Sequence, residues 1–256
     1  MPDFASLFAA HGGWMPLIVA AAFVGGFMRG LMGFGGALIF VPATAAFLSP
    51  PLAVACTFFF DLVVQIPLLW KSIRHAYWRE IAVLAIAGIV ATPLGVAVLV
   101  VAEPETLRWV ISGFILATVC ALAAGFRPKR EPRALGQAGV GALAGFFGGA
   151  AGIPGPPVIL FYLTGTKSAV EARANMIIFF AFTTFMAGFS YAYVGILTRE
   201  AATLALTLIG PVALGVWLGT RAFRLASDRG YRRIGFALIV FVAISSLPAF
   251  DAWLGR

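Results

Sequence analysis

Between Ile81 and Val101 the chain reads IAVLAIAGIVATPLGVAVLVV, with one hydroxyl and no ionisable side chain. A helix that is apolar on every side must be surrounded by hydrocarbon or by other protein, and this run would extend about 30 Å, the thickness of a bilayer's apolar core. Trp109–Phe126, Ala174–Val194 and Ile234–Phe250 are runs of the same kind. Backbone amides inside lipid find no water, so each run has to pair its own N–H and C=O groups as a helix. Composition agrees: 61% of the 256 residues are apolar and 11% charged, against about 25% charged in soluble domains. These features predict an all-α polytopic membrane protein with about eight to ten membrane segments.

A net charge of +8 would point to nucleic acid in a soluble protein. Here the basic residues gather in short connections: Lys71, Arg74 and Arg79; Arg127, Lys129, Arg130 and Arg133; and five arginines within 221–233. Such enrichment marks cytoplasmic loops, so these three connections are expected inside, and 102–106, with Glu103 and Glu105, outside. Both termini then fall outside a bacterial-type inner membrane, and no nucleic-acid partner is expected. Met1–Trp14 lack the basic start of a cleavable leader, so no processing is expected. Cys56 and Cys120 lie in apolar segments without metal-ligand spacing and read as buried thiols, and His11 and His75 stand apart. No metal or cofactor is expected.

At an offset of 119 residues, GFMRGLMGFGG (Gly26–Gly36) lies over GFFGGAAGIPG (Gly145–Gly155), with five identities in eleven positions. Pro93 also falls close to the counterpart of Pro211. The basic loops give the spans that follow these two motifs opposite directions. The expected organisation is two inverted-topology repeats: residues 1–126, a basic linker at 127–134, and residues 135–256. Each repeat opens with a glycine-broken hairpin, 15–48 or 135–163. Three spans follow, at about 52–70, 81–101 and 107–126 in the first and about 174–194, 201–220 and 232–250 in the second. The hairpin arms either cross as tilted or thinned helices or meet near the midplane as re-entrant half-helices.

Glycine and proline weaken a helix interior by about 1 and about 3 kcal/mol relative to alanine, so a run meant only to cross lipid should avoid them. GLMGFGGALIFVP (Gly30–Pro42) and GIPGPPVILFY (Gly152–Tyr162) do not. Gly/Pro-interrupted segments at corresponding positions of inverted repeats point to a transporter's binding site. A helix that restarts after a break has unpaired N–H groups and a positive dipole end, which hold an anion without a basic side chain. In the second motif Pro157 followed by Val158–Leu163 reads as the restart. The substrate-binding candidates are therefore the breaks themselves, Gly33, Gly35, Gly36, Gly152, Pro154, Gly155 and Val158, assisted by Thr57 and Asn175. Gly26/Gly30, Gly141/Gly145, Gly145/Gly149 and Gly215/Gly219 have instead the small-xxx-small spacing of close helix packing.

Ionisable groups inside spans default to functional roles. Asp61 is the only acid well within a long span, and Gln65 follows one turn later on the same face. Asp61 either carries a coupling proton or binds a cation, or it is structural, as a pair with Arg29 or as a neutral acid donating one hydrogen bond. Arg29, at the first hairpin's turn, either counters an anionic substrate or snorkels to the inner surface, the latter being the expected reading. Thr183, Thr184, Ser190 and Tyr191 either line the path or make helix–helix hydrogen bonds.

The paired glycine segments, with GGAAGIPGPPVILFY followed by EARAN in the second half, resemble the TauE/SafE sulfite exporter family, also called the toluene-sulfonate-uptake permeases. The resemblance covers nearly the whole chain, with Arg29 and Pro154 as departures from the family pattern. It implies an inner-membrane carrier of small sulfur-containing or organic anions such as sulfite or organosulfonates. Proton coupling is compatible with it, and direction and oligomeric state stay open. A passive anion channel would share the breaks but need no protonatable group. An intramembrane enzyme would need a catalytic constellation, and neither H-E-x-x-H nor G-x-S-x-G occurs.

Overall fold

The computed structural model describes residues 13–44, 48–103 and 133–245, with four isolated positions between 106 and 117. Apart from those positions, the expected span at 107–126, the basic loop at 127–132, His11, Cys120 and residues 246–250 lie outside the described residues. Within them the chain forms nine α-helices and no strand. They are α1 (Met15–Met32), α2 (Gly36–Thr44), α3 (Pro50–Ser72), α4 (Trp78–Val101), α5 (Ala134–Ala151), α6 (Gly155–Thr164), α7 (Ala169–Tyr193), α8 (Arg199–Phe223) and α9 (Asp228–Ser245). α1, α3, α4, α5, α7 and α8 are long and apolar enough to cross a bilayer. The molecule is an all-α polytopic membrane protein.

Local chemistry sets the helix boundaries. Pro50 and Pro51 occupy the first turn of α3, where a missing N–H costs nothing. α7 begins five residues before the expected 174, because Ser168 and Glu171 form a capping box: Glu171 N–H donates to Ser168 Oγ (3.3 Å) and Ser168 N–H to Glu171 Oε2 (3.0 Å). Thr198 caps α8 by accepting from Ala201 N–H. α1 and α5 both stop at a left-handed glycine, Gly33 (φ 82°) and Gly152 (φ 67°), whose N–H groups return to Arg29 O and Gly148 O, both at 2.9 Å. α6 restarts at Gly155 rather than Pro157, since prolines at its second and third positions are as well tolerated as one at the first.

Glycine decides which helices meet. A Cβ on Gly26 or Gly30 would overlap the carbonyls of Val212 and Val216; on Gly141, Gly145 or Gly149 it would overlap those of Leu84, Gly88 and Thr92. Backbone therefore lies directly on backbone along α1–α8 and along α4–α5, the two most extensive helix pairs. Both pairs rise in register together, so each is parallel. Cys56 Sγ–H meets Ala201 O (3.5 Å) near the starts of α3 and α8, and Lys71 and Arg221 share a groove near their ends, so α3 also runs with α8. Phe58 on Tyr191 and Gln65 on Ile177 make α7 antiparallel to α3. Thus α1, α3 and α8 run toward the face bearing Lys71, Arg74, Arg221 and Arg224, and α4, α5 and α7 run away from it.

The hairpins pair one long arm with one short arm. α1 and α5 have 18 residues each, whereas α2 has 9 and α6 has 10. The short arms extend about 15 Å, half the apolar core. α2 doubles back along α1: the Gly36 carbonyl lies against Gly25, and Phe40 and Val41 join Ile18 and Ala22 in one buried cluster. α6 packs on α5 in the same way, Val158 and Ile159 sharing a second cluster with Ala144 and Ala151.

Candidate functional site

Both breaks open toward the middle of α3. A cavity of about 40 Å³ lies among Arg29, Gly35, Asp61, Gly152, Gly155 and Thr184, and a second of about 40 Å³ adjoins it, reaching Thr57, Thr183 and Tyr191. Asp61, Gly152, Pro154 and Thr184 border both. A cavity of about 10–15 Å³ already holds a water, so each has room for a few waters or a small oxyanion's polar end.

Arg29 does not snorkel. It is 5% exposed, as is Asp61, and its Nε stands 3.2 Å from Asp61 Oδ1. Arg29 Nη2 donates to Gln65 Oε1, and Gln65 Nε2 donates to Ile177 O (2.7 Å). A basic residue three residues before the end of α1 reaches no surface, because α1 ends inside the fold where Asp61 supplies the charge it needs. The pair is ionic without being an aligned hydrogen bond: both Arg29 Nε and Asp61 Oδ1 are buried with no hydrogen-bond partner. The start of α2 completes the setting. A Cβ on Gly36 would fall 3.7 Å from Asp61 Oδ1 and 3.4 Å from Arg29 Cδ, so the positive end of a helix faces the carboxylate.

The two helix starts are unequal donors. In α2, Gly36, Ala37 and Leu38 precede the first bond, Ile39 N–H to Gly35 O (3.1 Å), so none of their amides has a partner within the helix. In α6, Pro154, Pro156 and Pro157 have no N–H, and the amides of Gly152 and Ile153 are spent on Gly148 O and Phe147 O. Of the first three residues of α6 only Gly155 has an N–H. Donors were expected across Gly152–Val158; the prolines that mark the break also remove them.

Other expected site residues stand elsewhere. Gly33 abuts Arg173 and Ile177. Val158 is fully buried in the second apolar cluster. Asn175 Oδ1 accepts from Tyr77 N–H (2.9 Å), and its Nδ2 donates to Glu80 Oε1 (3.2 Å), near the basic face. Thr57 borders the second cavity, with its hydroxyl bonded to Ala53 O (2.8 Å). Ser190 donates within its own helix to Met186 O, whereas Tyr191 donates to Gly148 O (3.1 Å), holding the end of α5. The basic face carries three contacts that the sequence did not announce. Glu80 pairs with Lys167 (2.8 Å); buried Arg173 donates to Gly30 O (2.5 Å) under the Phe223 ring; and Tyr231 donates to Met32 O (2.8 Å). The available signal covered one of them, the EARAN segment placing the charge of Arg173 just inside a span.

At Gly152 an alanine would be strained twice, by φ 67° and by Val54 methyls 3.3 Å from its Cβ. A left-handed non-glycine residue costs roughly 1–2 kcal/mol. Gly152→Ala is therefore expected to lower the thermal midpoint of purified protein, while Gly210→Ala, in open space, is expected not to.

Polytopic helices and two interrupted hairpins, with a buried charge pair beside them, are the architecture of a membrane transporter, and comparison with known proteins agrees. The family pattern described as Sulfite exporter TauE/SafE matches residues 18–246. The chain belongs to the TauE/SafE sulfite exporter family. It is 26% identical over 259 residues, 94% of this chain and 97% of the relative, to the probable sulfite/organosulfonate exporter TauE of Cupriavidus necator. No solved structure matches.

Proposed function

We propose that this protein carries sulfite or an organosulfonate across the cytoplasmic membrane, with the anion taking the place of Asp61 on Arg29. The observation that carries this reading is the misaligned buried pair at the junction of both breaks. A guest sulfonate would accept from Arg29 and from the amides at the start of α2, where dipole and guanidinium favour the same charge. Two anions compete for one guanidinium. Protonating Asp61 removes the competitor, so affinity for the guest rises as pH falls, and a proton accompanies each anion. The kinship with a protein named as an exporter supports outward transport.

We also read the fold as two inverted-topology repeats. The α1–α8 and α5–α4 contacts support this: Gly219 abuts Phe27 and Leu31, and Gly95 abuts Phe146 and Ala150, each the earlier residue plus 119. The equivalence of Pro93 and Pro211 does not follow, since Gly95 and Gly219 are 124 apart. The basic face is taken as cytoplasmic, which leaves the two interrupted hairpins approaching the site from opposite sides. Asn175 is assigned a structural role at the Glu80–Lys167 pair instead of substrate contact.

Flux of a radiolabelled organosulfonate in proteoliposomes tests the exchange. A sulfonate keeps its single charge at all working pH, so any pH dependence belongs to the protein. Saturable flux that strengthens as pH falls is expected for the natural chain, and saturable flux with a flat pH profile for Asp61→Asn, which mimics the protonated acid. Absence of sulfonate and sulfite flux at every pH, or an unchanged pH slope in Asp61→Asn, would overturn it.

A further inference from the structure

A second concavity has different chemistry. Between α3 and α8, toward the basic face, a groove of about 420 Å³ is walled by Val63, Val64, Pro67, Leu68, Val216 and Trp217. Its volume is that of a small-molecule site, about ten times either cavity at Asp61, and it shares no lining residue with them. Lys71, Arg221 and Arg224 ring one end. Among the described residues no acid lines the groove and none forms an ion pair with these three cations. Arg221 lies over the Trp217 ring, 3.8 Å from its centroid, a geometry that fixes the guanidinium beside the apolar wall.

We infer that this groove holds an anionic phospholipid, its phosphate on Lys71, Arg221 and Arg224 and one acyl chain along Val63, Pro67 and Trp217. Charge complementarity selects the head group: basic pockets between transmembrane helices bind anionic lipid heads. The walls exclude the transported anion as occupant. Beyond the mouth a small oxyanion would leave its water for aliphatic carbon, since the one hydroxyl in the lining, Thr220, donates to Gly30 O (3.4 Å), whereas an acyl chain needs no polar partner. Helix spacing places these residues correctly. Val63, Pro67 and Lys71 recur every four residues on α3, as do Trp217 and Arg221 on α8, so each helix presents an apolar stripe that ends in a cation. The opposite face of α3 carries Thr57 and Asp61 to the cavities and Gln65 to Arg29, so one helix would contact lipid and cargo on separate faces.

The test uses purified full-length protein in neutral detergent, titrated with phosphatidylglycerol, phosphatidylcholine, inorganic phosphate or sulfite. Retained lipid is read by native mass spectrometry and stability by the thermal midpoint. Phosphatidylglycerol is expected to be retained and to raise the midpoint, with phosphatidylcholine weaker. The exposed triple variant Lys71→Gln/Arg221→Gln/Arg224→Gln is expected to bind phosphatidylglycerol at least about tenfold more weakly. Ala213→Phe, which fills the groove and keeps every charge, is expected to reduce retention as well. Equal retention of the neutral lipid, unchanged binding by both variants, or displacement of the lipid by phosphate or sulfite at comparable concentration would overturn the inference. So would a triple variant that loses self-association while keeping its lipid, since the groove would then seat a second copy of the chain.

Discussion

Arg29→Ala is expected to destabilise the protein by about 3–5 kcal/mol, because it leaves Asp61 buried without a countercharge. Nothing else among the described residues pairs with that carboxylate. The cost should be greatest at neutral pH and shrink as pH falls, since a protonated Asp61 no longer needs the guanidinium. Adding Asp61→Asn should restore much of the loss, leaving an uncharged buried amide in place of an orphaned ion. Thermal unfolding of the two single variants and the double variant, at two pH values, measures all of this. A single variant as stable as the natural chain at neutral pH, or a double variant no better than Arg29→Ala, would show that the pair does not hold α1 to α3.

Gly95→Val should be as damaging for a different reason. A Cβ there would overlap the Phe146 carbonyl oxygen and sit 2.8 Å from Ala150 N, both parts of the α5 backbone. Backbone cannot rotate aside as a side chain can, so the helices must separate along their whole contact. Overpacking of this kind costs typically 1–3 kcal/mol and occasionally more, and here the displaced helix ends at Gly152, on the border of both cavities. Loss of transport is therefore expected together with loss of stability. Gly30→Val on α1, which would strike the Val216 carbonyl, should match it. The control is Gly210→Ala on α8, where nothing lies within 4 Å and the higher helix propensity of alanine should help slightly. Folded yield and thermal midpoint separate these outcomes; a Gly95→Val protein with a normal midpoint would mean that α4 and α5 do not pack this closely in the membrane.

Much of this was legible from one dimension. Apolar length and the scarcity of charge determined an all-α membrane protein, because lipid leaves a buried backbone no alternative to the helix. Glycine spacing marked the contacts at Gly26/Gly30, Gly141/Gly145, Gly145/Gly149 and Gly215/Gly219, since small residues four apart form a groove on any helix, whatever occupies it. The positions of the two helix breaks, and the family likeness they carry, were likewise written in Gly33, Gly152 and the prolines near them. What the chain order did not determine was who meets whom. Whether Arg29 reaches water or a carboxylate depends on Asp61, 32 positions away and on another helix; whether Asn175 faces a cavity or a loop depends on Glu80 and Tyr77, from the other half of the chain. A side chain's reach is local, whereas its partner is chosen by the packing of whole helices, and only the tertiary structure supplies that.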